Sequence, residues 1–528
     1  MSAQQKSHID ALFVGYENQE NLGLRSIVAY LQAHGYTAAL VPFVPGRDVE
    51  VLAAVEQLQP RLIGFSLIFQ YTLDEFQRLM ASLRSSGVGA HFTAGGHFPS
   101  LCPKETLQFL PELDSVVRFE GELTLPELLD HLDEPIHWPH VQGLAFRRGS
   151  EILLTPPRPL IADLDELPPI HRDKPREAVA GLRMASMLAS RGCLFNCSFC
   201  SIRQFYGSAS GTLRRVRSPQ AVVDEMAVLF TEKAVRFFSF QDDDFAARTP
   251  QQREWLHAFL RALDKASLAD QMRWKISCRV DDIEPDILEA MLKHGLMAVY
   301  LGVESGSESG LRTLNKHVSV AQNLAAIEIL KRYNVALAIG FMLFDPSSTV
   351  DTIRENLNFL RAVGEDGYFP VNFCKMLPYA GTPIETRLRD EGRLKGTVTR
   401  PDYDFLDPQL EWYAFLVQRI FTRRNFDGDG LVTSLQQADF DYRLARAFGY
   451  AHQADGYGAK LRQLISQSNW LALETLSALL EQVVSRGIES LLKEEENLRA
   501  LTEREWRGEA TVETELQALH REGVFDLW

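Results

Sequence analysis

Arg191-Gly-Cys-Leu-Phe-Asn-Cys-Ser-Phe-Cys200 gathers three of the six cysteines of the chain into eight residues with CxxxCxxC spacing. Three soft thiolates this close suit one inorganic centre, an iron-sulfur cluster or zinc, rather than a disulfide framework. A structural zinc site wants a fourth ligand at comparable spacing, and the next thiol, Cys278, lies 78 residues beyond Cys200. A four-iron cluster on Cys193, Cys197 and Cys200 keeps one iron open for a cofactor or substrate.

The elements around this loop read as α/β. From Ile9 to about Leu132 short apolar runs alternate with amphipathic stretches, predicting a flavodoxin-like (Rossmann-type) domain with strands at 11–14, 38–41, 62–66, 90–94 and 115–118. A proline-rich passage follows, broken by a hairpin (141–146 and 151–154) around Gly149. The alternation then resumes, with strands predicted at 187–190, 236–240, 273–278, 298–302, 336–343 and 371–376 and helices between them, a partial (β/α)6 TIM barrel. Beyond about Pro401 the pattern is helical. The expected domains are therefore 1–135, a linker with a small hairpin at 136–180, a barrel at 181–400 and a C-terminal mainly helical domain at 401–528.

The cysteine spacing, Phe199 before the last cysteine and the β/α series together resemble the radical S-adenosylmethionine (SAM) superfamily. Phe240-Gln-Asp-Asp-Asp-Phe245 resembles the Asp-Asp-x-Phe turn of its cobalamin-linked members, and Gly302-Val-Glu-Ser-Gly306 resembles the turn after their fourth barrel strand. At the N-terminus Asn18-Gln-Glu-Asn-Leu-Gly23, Ser66-Leu-Ile68 and Gly95-Gly96-His97 resemble in order and spacing the loops of a cobalamin-binding domain. Two departures stand out. Glu20 occupies the place of the cobalt-ligating histidine, and Arg118-Phe-Glu-Gly-Glu122 has Phe119 where a glycine is usual, a ring that could narrow the space beside the nucleotide tail.

The resemblance to cobalamin-binding-domain radical SAM enzymes, class B methyltransferase-like, implies three cofactors: a [4Fe-4S] cluster on Cys193, Cys197 and Cys200, SAM, and cobalamin. SAM then falls to Phe199, Asp242, Asp243, Arg279, Glu304 and Ser305, since ammonium and hydroxyl groups want carboxylate or hydroxyl partners and a carboxylate wants arginine. Cobalamin falls to Asn18, Glu20, Gly23, Ser66, Ile68, Gly95, Gly96 and His97. The implied reaction is methylation of an unactivated carbon or phosphorus of a small molecule, through a 5'-deoxyadenosyl radical and methylcobalamin. Cyclisation, ring contraction or aminocarboxypropyl transfer on the same architecture, with or without cobalamin, are the alternatives. A cobalamin-responsive binding protein is the non-enzymatic one.

A formal charge of −15 opposes binding to nucleic acid and favours a small substrate. No apolar run approaches the roughly 20 residues of a membrane span, and no signal-peptide pattern opens the chain, so a cytoplasmic protein is expected. A flavodoxin or ferredoxin-type reductant is the family expectation, and nothing demands more than a monomer. Tyr368, Cys374 and Tyr379 are candidates to line a substrate cavity. Tyr403, Phe405, Trp412, Tyr413, Arg423 and Arg424 are candidates for a substrate-selecting cap or for a cover over the open side of the barrel.

Overall fold

A computed structural model describes residues 8–170, 172, 175–178, 181–245, 247–449, 455–486 and 495–521. The chain forms two compact units, each built from separated segments. The first falls within 1–174, 186–221 and 378–402, and the second within 175–185, 222–377 and 403–528.

In the first unit β1 (Ala11–Gly15), β2 (Ala38–Pro42), β3 (Leu62–Ser66), β4 (His91–Gly95) and β5 (Ser115–Val117) lie in the order β2-β1-β3-β4-β5, all parallel. This is the flavodoxin-like order. β1 is buried at every position, as a strand covered on both faces must be, and its apolar run needs no alternation. Helices α1 (Leu22–Ala33), α2 (Asp48–Leu58), α3 (Leu73–Ser85), α4 (His97–Leu101), α5 (Pro103–Phe109) and α6 (Thr124–Asp130) connect the strands. The expected hairpin forms, as β6 (Leu144–Arg148) and β7 (Glu151–Leu154), but it is no free-standing insertion. Its first strand pairs antiparallel with β5, Val116 opposite Ala145, so the sheet has seven strands.

The second sheet runs β16-β15-β14-β13-β12-β9-β8, with β8 (Arg176–Glu177), β9 (Arg183–Met187), β12 (Val235–Phe240), β13 (Arg273–Arg279), β14 (Leu296–Glu304), β15 (Ala336–Phe344) and β16 (Cys374–Lys375). β12 through β16 are parallel. Between them lie α8 (Pro219–Glu232), α9 (Pro250–Lys265), α10 (Pro285–Lys293), α11 (Glu308–Thr313), α12 (Val320–Arg332) and α13 (Val350–Gly364); the short α7 (Ile202–Gly207) precedes them in the first unit. Capping boxes start three of these helices, at Thr249, Ser319 and Thr349.

Two strands depart from the predicted spans. The first ends at Met187 instead of beginning there. Arg217 takes the carbonyls of Leu188 (3.1 Å) and Ala189 (2.8 Å), and Ser190–Arg191 becomes β10, antiparallel to β11 (Arg215–Val216). The sixth shrinks to Cys374–Lys375, because side chains satisfy the backbone before it: Arg424 binds the Val371 carbonyl at 3.0 Å, Asn425 the Phe373 carbonyl at 2.9 Å and Asn469 the Val371 N–H at 2.8 Å.

α14 (Pro383–Asp390) belongs to the first unit and α15 (Gln409–Phe426), α16 (Leu431–Ala447), α17 (Asp455–Arg486) and α18 (Glu495–Arg521) to the second. α15 packs along the last strands, with Phe421 against Phe373 and Tyr413 against Phe344. α16 seals the sheet from below: Leu444 and Phe440 pack on Phe237, Ala298 and Ala336, near the N-terminal ends of their strands.

Candidate functional site

The cysteine loop lies in the first unit and is anchored at both ends. Arg191, two residues before Cys193, is buried between Glu120 (3.1 Å) and Glu122 (2.7 Å). Arg215 on the partner strand meets Glu120 at 2.9 Å. Burial opposes charge on the Glu122 carboxyl, but Arg191 and the hydroxyl of Ser26 hold its pKa below the ordinary value. Gly192 has φ 88°, and a Cβ there would run into the Leu213 carbonyl. Beyond the last cysteine, His97 bonds the Ser201 hydroxyl at 3.0 Å and stacks on Phe205 at 4.4 Å. Ser198 accepts from the N–H of Ile384 at 2.9 Å.

Within the loop Cys197 is buried, Cys193 and Cys200 are half-buried, and none is in a disulfide. The Cys200 N–H bonds the Cys197 carbonyl at 3.1 Å, a tight turn that spaces the last two thiols. Among the described residues no three His, Cys, Asp or Glu side chains meet at one point to grip a single ion. A cubane cluster has no such requirement, since each thiolate takes a different iron. A loop of three thiols, partly exposed and fixed at both ends, therefore fits a cluster with an open corner. Phe199, also half-buried, sits within it.

The C-terminal edge of the parallel sheet brings together the other N-terminal candidates. Gly15, Ser66 and Gly95 end β1, β3 and β4, with Ser66 directly opposite Gly95. Asn21, not singled out from the sequence, ties two loops: its side chain caps α1 at Leu24 (3.1 Å) and donates to the Ser66 hydroxyl at 3.1 Å. An Asn just before a helical run is the signal that could have found it. Gly23 is exposed, and a Cβ there would come no nearer than 3.7 Å to another residue, so protein packing does not demand the glycine. Gly96 differs: at φ 116° its Cβ would approach the Leu67 carbonyl to 2.6 Å. Ile68 is 41% exposed and Asn18 is exposed in the first loop. A sheet edge with exposed apolar and glycine positions fits a large ligand laid across it.

Glu20 points elsewhere. At φ 58° it turns its carboxylate onto the Ser186 N–H and beside the buried Arg172, 3.4 Å away. Phe119 is also left-handed, at φ 65°, which explains in backbone terms why glycine is usual there. Its ring packs edge-on against Phe205 at 5.5 Å, in a cluster with Leu160 and Ala209.

In the second unit the strand ends carry the remaining candidates. Glu304, at φ 67°, is ion-paired with Lys316 at 3.0 Å, and its carboxylate lies over Gly302 and Gly340. Lys316 was not expected from the sequence, where no local pattern marks it. Left-handed backbone at a residue with a long side chain is strain of the kind functional sites hold. Arg279 is buried and donates to Asp281 (2.9 Å) and the Lys316 carbonyl (2.6 Å), bracing this turn. Asp242 is buried and Asp243 exposed. Their neighbour Asp244 shares Arg248 with Asp282, whose pKa is raised by burial and by Asp244. Ser305 turns into the core, bonding Asn356 at 3.0 Å.

Of the cavity candidates, Cys374 lies near Glu304, and burial and that carboxylate push its thiol up to about 12. Tyr368 is a correction: its hydroxyl donates to the Val335 carbonyl (2.7 Å), just before β15, and its ring lies under Arg443 and Arg462. That is the N-terminal end of the strands, whereas the mouth of a β/α barrel is at the C-terminal ends. Tyr379 packs on Phe69 at 5.5 Å in the first unit. Tyr403, Phe405, Tyr413 and Arg424 are buried against β15 and the segment before β16, Trp412 is 40% exposed, and Arg423 faces Glu513.

Comparison with known proteins places these features in families. Residues 187–360 match the radical SAM superfamily, and residues 12–129 match the B12 binding domain. An uncharacterized methyltransferase of Pyrococcus horikoshii is 25% identical over 374 residues, spanning 70% of this chain and 78% of the relative. The anaerobic magnesium-protoporphyrin IX monomethyl ester cyclase of Cereibacter sphaeroides is 30% identical over 350 residues, 64% of this chain and 54% of the cyclase. Among solved structures, the cobalamin-dependent S-adenosylmethionine radical enzyme OxsB, with aqua-cobalamin and S-adenosylmethionine bound, superimposes with a TM-score of 0.68 at 16% identity, covering 99% of this chain and 82% of OxsB. The cofactors of the two matched domains are a [4Fe-4S] cluster with SAM, and cobalamin. Among the described residues no helix is long and apolar enough to cross a membrane.

Proposed function

We infer that this chain, a radical SAM enzyme with a B12 binding domain ahead of its catalytic sheet, methylates an unactivated carbon or phosphorus of a small molecule. The observation that carries the reading is that the three-cysteine loop is built into the same compact unit as the B12 binding domain, held there by Arg191 on Glu120 and Glu122 and by His97 on Ser201. A methyltransferase relative matched over most of its length supports the reaction type. When bound, the cluster, SAM and cobalamin supply a carbon-centred radical and a transferable methyl group.

The residues do the positioning. Cys193, Cys197 and Cys200 would hold the cluster, with Phe199 in the same loop. Asp242, Asp243 and Glu304 offer carboxylates to the ammonium and ribose hydroxyls of SAM, while Arg279 and Ser305 fix the turns that present them. The edge formed by Asn18, Gly23, Ser66, Ile68, Gly95 and Gly96 would hold cobalamin. This loop would offer cobalamin no imidazole, and the Glu20 carboxylate in its place is committed to Arg172 and Ser186. The setting is cytoplasmic, with electrons from a flavodoxin or ferredoxin-type protein.

Anaerobic reconstitution with iron, sulfide and hydroxocobalamin tests this, with metals and SAM products quantified in the wild type and in Cys197→Ala. Expected are about four irons and one cobalt per chain, with 5'-deoxyadenosine and S-adenosylhomocysteine both lost in the variant. Iron without cobalt, or methylthioadenosine as the main SAM product, would overturn methyl transfer.

A further inference from the structure

The inner face of the second sheet carries polar groups that neither the cluster nor the strand-end turns use. Strand register defines this face. Ser239, Lys275, Ala298 and Ala336 lie side by side on β12 to β15, and one step nearer the strand C-termini come Ser277, Tyr300 and Ala338. The opposite face is the aromatic core, where Phe240, Phe259 and Trp274 pack together. On the inner face Leu444 and its neighbours on α16 close the bottom at Phe237, Ala298 and Ala336. Lys275 therefore stands just above a sealed floor.

Three groups here lack hydrogen-bond partners among the described residues. Lys275 makes no hydrogen bond or ion pair among the described residues, and burial, with no neighbouring charge, lowers its pKa. Tyr300 is 41% exposed although it sits on a central strand, and its hydroxyl lies over Gly340, 2.6 Å from where a Cβ would stand. Asn372 has a buried side-chain oxygen without a partner. In its segment Val371 and Phe373 pack toward Gly364 and Phe421, so alternation puts Asn372 on the side of Cys374. The negative charge nearest Tyr300, Glu304, is already neutralised by Lys316. A buried amide oxygen left unsatisfied is unusual unless a ligand completes it, and here a lysine and a tyrosine hydroxyl without partners among the described residues share its face.

We propose that Lys275, Tyr300 and Asn372 form a subsite for an anionic group of the small-molecule substrate, a carboxylate or a phosphate, with Asn372 also accepting from an N–H or O–H of the same molecule. Lys275 supplies the charge, Tyr300 a hydroxyl donor from above, and the α16 floor limits how far the anion reaches. Along the strand Lys275 lies four residues, roughly 13 Å, below Arg279. The subsite is thus deeper than the strand-end carboxylates assigned to SAM. The inference rests on the enzymatic reading above but is measured independently of turnover.

The reconstituted holoenzyme is titrated with acetate and benzoate followed by saturation-transfer NMR, with inorganic phosphate followed by 31P line broadening, and with benzamide as the uncharged control. The variants are Lys275→Met, Lys275→Arg and Tyr300→Phe, each checked for its melting temperature. At least one anion should bind wild type and Lys275→Arg alike, roughly tenfold or more weakly to Lys275→Met, and several-fold more weakly to Tyr300→Phe. Benzamide should not distinguish the proteins. Preference for the carboxylates or for phosphate identifies the group. If Lys275→Met fails to fold, Tyr300→Phe carries the test. If no anion distinguishes the folded variants from wild type, the subsite does not exist, whereas absence of 5'-deoxyadenosine from SAM in the wild-type preparation would instead overturn the enzymatic reading.

Discussion

Phe119 and His97 converge on the same ring, Phe205, and each carries a testable consequence. Replacing Phe119 with glycine relieves left-handed backbone worth about 1–2 kcal/mol but deletes a buried aromatic worth about 3–5 kcal/mol, so Phe119→Gly should be net destabilising by about 1–4 kcal/mol, read as a lower denaturant midpoint. The sequence marked Phe119 as a departure but could not say where its ring would go, since Phe205 is distant in the chain. Burial lowers the His97 pKa to about 4, below the ordinary histidine value. The unfolded chain then binds this proton first as pH falls. The stability of the neutral ring is complete above about pH 6.5 and drains away toward pH 4. Between pH 7 and 5 the wild type should lose about 1–2 kcal/mol more than His97→Gln, measured by urea unfolding at both values. Glu20 was legible as a missing imidazole. Its engagement with Arg172 was not, because no local pattern connects residue 20 with residue 172.

At the scale of elements, the Glu120, Glu122, Arg191 and Arg215 network joins the end of β5 to the strand pair that brackets the cysteine loop. Removing the Arg191 cation strands the buried Glu122 carboxylate, while Glu120 keeps Arg215, and one uncompensated buried charge costs about 3–5 kcal/mol. Arg191→Met should therefore melt earlier and, after reconstitution, hold less than half the wild-type iron per chain, although the three cysteines are intact. Unchanged iron would show that the loop assembles without its anchor. Where the pattern was local, it predicted the elements well: continuous apolar runs marked β1 and β3 to within one residue, and Thr or Ser before the helices after β12, β14 and β15 capped them as such residues do. Where a strand lost its ladder, a side chain from far away took its carbonyls, Arg217 at Leu188, Arg424 and Asn425 at Val371 and Phe373. Apolar periodicity carries no information about such competition. For the same reason Tyr368 could be placed near the sixth strand but not at the correct end of it.

At the scale of the whole molecule, the helices after residue 402 belong to the compact body of the second unit. Arg424 is buried there, held by Val371 and Ser468. Leu444 covers Phe237, Ala298 and Ala336, and Tyr413 lies against Phe344 with its hydroxyl on the Leu476 carbonyl at 3.0 Å. A tail that only selected substrate could be removed without exposing the core of the sheet. This one cannot, since its loss would leave Val371 and Phe373 without backbone partners and the floor beneath Lys275 open. Each large side chain uncovered costs about 1.5–3 kcal/mol, so a handful is comparable to the 5–15 kcal/mol that stabilises a typical domain. A chain ending at Asp402 should therefore accumulate in the insoluble fraction, and whatever remains soluble should bind a hydrophobic dye strongly. Its cysteines would still be present, so iron content separates the two roles of the tail: a soluble, dye-silent 1–402 protein with full iron would show that these helices only select substrate.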